Sequence, residues 1–180
     1  MSADERGLRD LARAQEGAEA THGGTEVASG RYERSIALLR PLVHSSDDPA
    51  YAEQLARILT EVGQLEEARH WREVAATRYD ELIARYPEAF ADHAAEFWLT
   101  VGGDPQKGRF LAEKNLSIRQ TPRAYELVLQ AAVATQETAT VCRVAEHLRA
   151  VDQMGPRLRT LAVRALASCS RLSRPSGGGE

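Results

Sequence analysis

The chain has 180 residues, of which 43% are hydrophobic and only 6% aromatic, and its formal net charge is −3. This length is sufficient for one domain with a hydrophobic core. The slightly acidic balance lacks the basic patch that nucleic-acid binding needs, so no nucleic-acid partner is expected. No stretch approaches the roughly 18 consecutive apolar residues of a transmembrane helix, so no membrane partner is expected.

The two cysteines, Cys142 and Cys169, are far apart and form no CxxC motif. We interpret them as two small buried hydrophobic residues in a reduced compartment, with a disulfide as the alternative. The N-terminal ten residues lack the apolar run of a signal peptide, and we therefore predict a cytoplasmic protein. Lysine occurs only at Lys107 and Lys114 while arginine and alanine are abundant, which indicates a GC-rich bacterial genome.

Residues 1–29 are predicted to form an N-terminal helix followed by a glycine-rich loop. Ser2 and Glu5 fit a capping box at the start of a helix over residues 1–15. Three glycines then break the helical pattern over residues 16–29, because each costs about 1 kcal/mol relative to alanine in a helix interior. This segment is interpreted as a flexible loop or a poorly formed helix.

The next two segments, 30–48 and 49–87, carry apolar residues at helical spacing. Pro41 predicts a kink in the first of them. The segment 49–87 is predicted to form a hairpin of two helices. Its helix A covers residues 50–61, and its unusually long helix B begins near Leu65. Gly63 supplies the turn between them, because the residue after a helix end often needs a left-handed backbone.

The segments 88–121 and 122–155 predict two further hairpins. Residues 156–172 follow as a single helix whose one-sided apolar stripe suits the capping of an open end. Residues 173–180, rich in glycine, serine and proline, are expected to be disordered.

Aligning the turns at Gly30, Gly63, Gly103 and Gln136 gives spacings of 33, 40 and 33 residues. A period near 34 with paired antiparallel helices resembles the tetratricopeptide repeat. The residues that match the pattern of this family are Ala56, Gly63, Ala68, Ala75, Gly103, Gly108 and the Thr121–Pro122 boundary. The departures are Glu96, Asn115 and Gln136. The resemblance covers residues 30–155, and the alternative is an unrelated protein of helical hairpins.

The resemblance implies an all-α fold, an α-solenoid of antiparallel hairpins with a C-terminal capping helix. It also implies a concave binding face lined by the A helices, which suits an extended peptide or a partner helix. Carried onto this chain, the predicted partner-binding residues are Glu53, Arg57, Phe90, His93, Phe97, Arg123, Glu126 and Gln130.

We predict a non-catalytic scaffold or adaptor for a protein or peptide partner, because no nucleophile motif, phosphate-binding loop or cofactor motif occurs. No cofactor and no metal are expected. One alternative is a structural module that self-associates through its N-terminal end, where Ile36 and Leu39 would form an exposed apolar patch. The other is a metal- or small-ligand-binding protein that uses His93 and Glu96, which lie one turn apart on a helix.

Overall fold

The structure, a computed structural model, describes residues 25–150 and 155–172. These two stretches contain eight helices and no strand, so the prediction of an all-α fold is confirmed. The helices are α1 (Thr25–Ser45), α2 (Pro49–Glu61), α3 (Leu65–Arg85), α4 (Pro87–Leu99), α5 (Pro105–Ile118), α6 (Pro122–Ala134), α7 (Thr138–Arg149) and α8 (Pro156–Leu172). The helix predicted over residues 1–15 and the tail at 173–180 lie outside the described residues.

Helix α1 differs most from its predicted bounds. It begins at Thr25, so residues 25–29 are helical, which agrees with the helical alternative for that part of the glycine-rich segment. The helix continues past Pro41 to Ser45. A proline inside a helix removes one backbone hydrogen bond, and here that loss does not end the helix.

Three helices begin with a capping side chain followed by proline. The Asp48 carboxylate accepts a hydrogen bond from the Ala50 backbone N–H at 2.9 Å, and the Asp104 carboxylate accepts one from Lys107 at 3.0 Å. The Thr121 hydroxyl accepts one from the Ala124 backbone N–H at 3.2 Å. The proline that follows each cap has no N–H to leave unpaired and is already in helical φ, so these starts are strongly specified.

Three of the four turns that the aligned sequence predicts have a left-handed backbone, whereas the turn predicted at Gly30 is wrong because Gly30 lies inside α1. The φ angles are 77° at Gly63, 70° at Gly103 and 59° at Gln136. Glycine takes this conformation without a steric penalty, whereas the Cβ of glutamine approaches the following carbonyl oxygen. The third turn therefore keeps the backbone geometry of the other two at an energetic cost.

Two compact units make up the chain, residues 1–81 and residues 82–180, and the boundary falls within α3. In the first unit α1 packs on α2, and the core includes Leu39, Val43, Leu55 and Leu59. The prediction of an exposed patch at Ile36 and Leu39 is wrong, because only 8% and 0% of these residues are exposed.

In the second unit each helix packs on the next, and α4 also packs directly on α6. The contacts depend on small residues. A Cβ added at Gly108 of α5 would lie 2.7 Å from Leu99 Cγ and 3.0 Å from the Leu99 backbone nitrogen, so α5 approaches α4 as closely as a missing side chain allows. Ala94 and Ala95 of α4 and Ala112 of α5 are also fully buried.

A disulfide joins Cys142 in α7 to Cys169 in α8, with a Cα–Cα distance of 5.7 Å. The prediction of two separate buried thiols is therefore wrong. The two helices are neighbours, and the bond connects the beginning of α7 with the end of α8, so residues 27 positions apart meet at one end of the pair. Closing a loop of this length removes unfolded-state entropy equivalent to about 3–4 kcal/mol.

We predict that Gly108→Ala lowers the free energy of unfolding by about 1–3 kcal/mol, because the new methyl group overlaps Leu99. Helix propensity alone would favour alanine by about 1 kcal/mol, so the packing effect must exceed that gain. The matched control is Gly30→Ala in α1, where a Cβ meets nothing within 4 Å and should raise stability. Urea unfolding followed by circular dichroism compares them, and a stabilising Gly108→Ala would contradict the close approach.

We also predict that Gln136→Gly raises the free energy of unfolding by about 0.5–1 kcal/mol, because it removes the strain of a left-handed glutamine. Gln136→Ala is the control, since alanine keeps the Cβ and should give no such gain. The reverse change, Gly103→Gln, should destabilise. Equal unfolding midpoints for Gln136→Gly and Gln136→Ala would show that the turn is not strained.

Candidate functional site

The second unit brings together polar side chains from the exposed faces of α4 and α6. We call this the α4–α6 surface, and its residues are Phe90, His93, Glu96, Arg123, Glu126 and Gln130. The spacing of three and four residues along each helix places these side chains on one face. Because α4 packs directly on α6, the two faces are adjacent.

Arg123 is the central residue of the α4–α6 surface. Its guanidinium forms an ion pair with Glu96 of α4, and it pairs with Glu126 of its own helix at 3.4 Å. Gln130 Nε2 donates a hydrogen bond to Glu126 Oε1 at 3.1 Å. Thr121 and Pro122 fix the start of α6, so Arg123 is held two residues from a well-defined helix end. The result is a connected polar network across two helices.

The carboxylates of Glu96 and Glu126 favour the charged form of Arg123. Partial burial lowers the pKa of Arg123, but the hydrogen bond and negative charge of Glu96, with those of Glu126, outweigh burial and raise the pKa above its ordinary value. A raised pKa means that the stabilising contribution is present at every pH below the ordinary value and is lost only above it. Arg123 is therefore a cation at every pH at which a folded protein is studied.

His93 is the most accessible predicted residue on this surface, since its side chain is 66% exposed. Its Nε2 lies 3.9 Å from Asp92 Oδ1. Phe90 is half-buried on the same helix, and Gln130 is half-buried on α6. His93, Phe90 and Gln130 therefore lie on the same surface as the ion pairs and are exposed enough to contact a partner.

The prediction that Phe97 contacts a partner is contradicted by its burial. Phe97 is 0% exposed and belongs to the core of the second unit, with its ring centroid 5.0 Å from that of Trp98. A Cβ added at Gly102 would lie 2.9 Å from Phe97 Cε1, so the absent side chain of Gly102 leaves room for this ring beneath the turn. Phe97 follows the buried Ala94 at helical spacing and so shares the core-facing side of α4.

The predicted residues Glu53 and Arg57 lie on α2 in the first unit. Glu53 Oε2 accepts a hydrogen bond of 2.7 Å from the hydroxyl of Tyr79 in α3. Tyr79 is only 3% exposed, so Glu53 satisfies a buried polar group in its own hairpin. Arg57 is half-buried. Glu53 is thus already engaged within the first unit.

Among the described residues, no third potential ligand lies close enough to complete a metal site with His93 and Glu96. In the part of the chain that the structure describes, no three His, Cys, Asp or Glu side chains come together in a way that could hold a metal ion. Glu96 instead directs its carboxylate to Arg123. The chemistry that this arrangement offers is recognition through charge and hydrogen bonds.

Two clefts of the second unit were not predicted. One, of about 390 Å³, is lined by residues of α5, α6 and α7, and in its wall the rings of Tyr125 and His147 stack with centroids 4.6 Å apart. The other, of about 450 Å³, is lined mainly by apolar residues of α6, α7 and α8 and includes Cys169. The helical periodicity gave no signal for either, because both depend on how three helices meet.

Among the described residues no helix combines the length and hydropathy that crossing a membrane requires. No protein-family model, curated protein or solved structure matches the chain. The geometry of the α4–α6 surface therefore carries the functional proposal.

We predict a coupling free energy of about 0.2–1 kcal/mol between Glu96 and Arg123, because both side chains are partly exposed and solvent screens their attraction. A double-mutant cycle with Glu96→Gln and Arg123→Gln measures this coupling, which should decrease at high ionic strength. The control cycle uses Glu146 and Arg149, a more exposed pair on α7, and should give a smaller value. Zero coupling between Glu96 and Arg123 would show that the ion pair does not join α4 to α6.

Proposed function

We propose that this protein is a tetratricopeptide-like α-solenoid that acts as a non-catalytic scaffold or adaptor. In this proposal the α4–α6 surface binds a peptide or a helix of a partner protein. The single observation that carries the proposal is the connected, partly exposed network in which Arg123 bridges α4 and α6.

Support for the repeat architecture comes from the positions of turns and small residues. Left-handed turns recur at Gly63, Gly103 and Gln136, and the expected small positions Ala68 and Gly108 are buried. In the second unit α4 and α6, the first helices of successive hairpins, are direct neighbours. Such contacts between successive first helices create the extended binding surface of stacked helical repeats.

Support for partner binding comes from side chains of the α4–α6 surface that are already held by hydrogen bonds and ion pairs before a partner binds. Glu126 has only 13% of its side chain exposed and is held by both Arg123 and Gln130. Side chains that are already ordered lose less conformational entropy when a partner binds, and affinity benefits accordingly. The exposed His93 and the half-buried Phe90 then add a polar and an aromatic contact at the edge of this network.

The proposed role is recognition because the network holds one positive and two negative side chains at fixed positions. Arg123 is shared between Glu96 and Glu126, so the network presents opposite charges at fixed positions. A partner that carries both an acidic and a basic side chain can exchange ion pairs with this network. Charge complementarity of this kind determines specificity and association rate more than affinity.

We predict that a photo-crosslinking amino acid placed at position 93 or 130 in the full chain captures the same partner protein in the source cells. Matched controls carry the amino acid at Phe110 and Ser117, exposed positions on α5 in the same unit. Mass spectrometry of the crosslinked peptides identifies the contact positions. Crosslinking at positions 110 and 117 that equals or exceeds that at 93 and 130 would contradict the proposal.

A further inference from the structure

The disulfide between Cys142 and Cys169 links α7 to α8, the last helix that the structure describes. Both cysteines are partly exposed, and Cys169 lines the cleft of about 450 Å³ that α8 forms with α6 and α7. A small thiol or the exposed cysteine of another protein can therefore reach the bond from solvent. Exposed disulfides exchange with thiols more readily than buried structural ones.

The described apolar face of α8 combines small or buried side chains with the half-buried Leu161 and Leu166. Its described buried side chains are Leu158, Ala162 and Ala165, and two of these three are alanines. Alanine has a single methyl group and contributes a fraction of what a buried leucine contributes. Val163 on the same helix remains 61% exposed. The disulfide adds a covalent link to this packing of α8 against α7.

We propose that Cys142 and Cys169 form a thiol–disulfide exchange site at which a dithiol reductant releases α8 from α7. This proposal is independent of the partner surface on α4 and α6.

The chemical step requires only the named reductant. One thiolate of the dithiol attacks Cys169 Sγ, the sulfur beside the open cleft, and a mixed disulfide forms while Cys142 leaves as a thiolate. The second thiolate of the dithiol then attacks the mixed disulfide and releases Cys169. The protein gains two electrons and two protons, and the dithiol becomes a disulfide. Oxidation of the two cysteines by a disulfide reverses the sequence.

Release of α8 would change the accessible surface of the second unit. The buried residues Val141, Val144 and Leu148 form the apolar stripe of α7, to which α8 is adjacent. Without α8 this stripe loses part of its cover, and the cleft that contains Cys169 loses one wall. The redox state of one cysteine pair would thereby control access to an apolar face.

Hydrogen exchange measured by mass spectrometry on the full chain, oxidised and after treatment with dithiothreitol, tests this inference. We expect complete reduction of the bond in the folded chain and a loss of protection in α8 of at least about tenfold, with α4, α5 and α6 unchanged. The variant carrying both Cys142→Ser and Cys169→Ser should show the same unprotected α8 without reductant. It should not respond further to dithiothreitol.

Two results would overturn the inference. In one, α8 keeps its full protection when both thiols are free and in the double serine variant, which would show that packing alone holds the helix. In the other, the bond resists dithiothreitol until protection is lost in every helix, which would make the disulfide a structural crosslink rather than an exchange site.

Discussion

Close contact between neighbouring helices at glycine and alanine positions is the constraint on which the rest of this structure depends. Gly108 touches Leu99 so closely that a single methyl group would not fit. Ala75, Ala112 and Ala145 are each 0% exposed on the second helices of their hairpins. With only 6% aromatic residues, the chain gains apolar burial by bringing backbones together rather than by filling wide gaps with large rings.

The fold could be predicted closely where the determinants are local. Asp48, Asp104 and Thr121 each precede a proline, and this pair of residues specifies a helix start without reference to the rest of the chain. The turns at Gly63 and Gly103 could be predicted because glycine readily takes a left-handed backbone. The turn at Gln136 was predicted only from its distance of 33 residues from Gly103, since glutamine itself does not favour this conformation. Residues 25–29 could not be assigned to a helix or a loop from the sequence, because the glycines before them disfavour a helix without excluding one.

The contacts that join distant parts of the chain could not be predicted in the same way. Phe97 lies in the core because Gly102 leaves room for its ring, which is a property of the folded turn. The disulfide depends on the pairing of α7 with α8, and 27 positions separate its cysteines. The predicted site therefore divides into residues whose exposure follows from helical spacing, such as His93, and residues whose role depends on a neighbour, such as Glu53 with Tyr79.

The same close packing explains why the α4–α6 surface is ordered. Small residues between α4 and α5 and at the buried Ala124 of α6 hold these helices together, and Arg123 then bridges two neighbouring helices. A surface built this way offers fixed charges on rigid elements, as the proposed recognition of a partner requires. The cation at its centre is paired with one carboxylate from each of the two helices.

The central claim is that partners bind on α4 and α6. Its most direct test is to select peptides that bind the immobilised full chain and to map the tightest one by nuclear magnetic resonance of the backbone amides. The account predicts that the largest shifts occur around His93, Arg123 and Gln130. The largest shifts around Phe110 and Ser117 on α5 would contradict it.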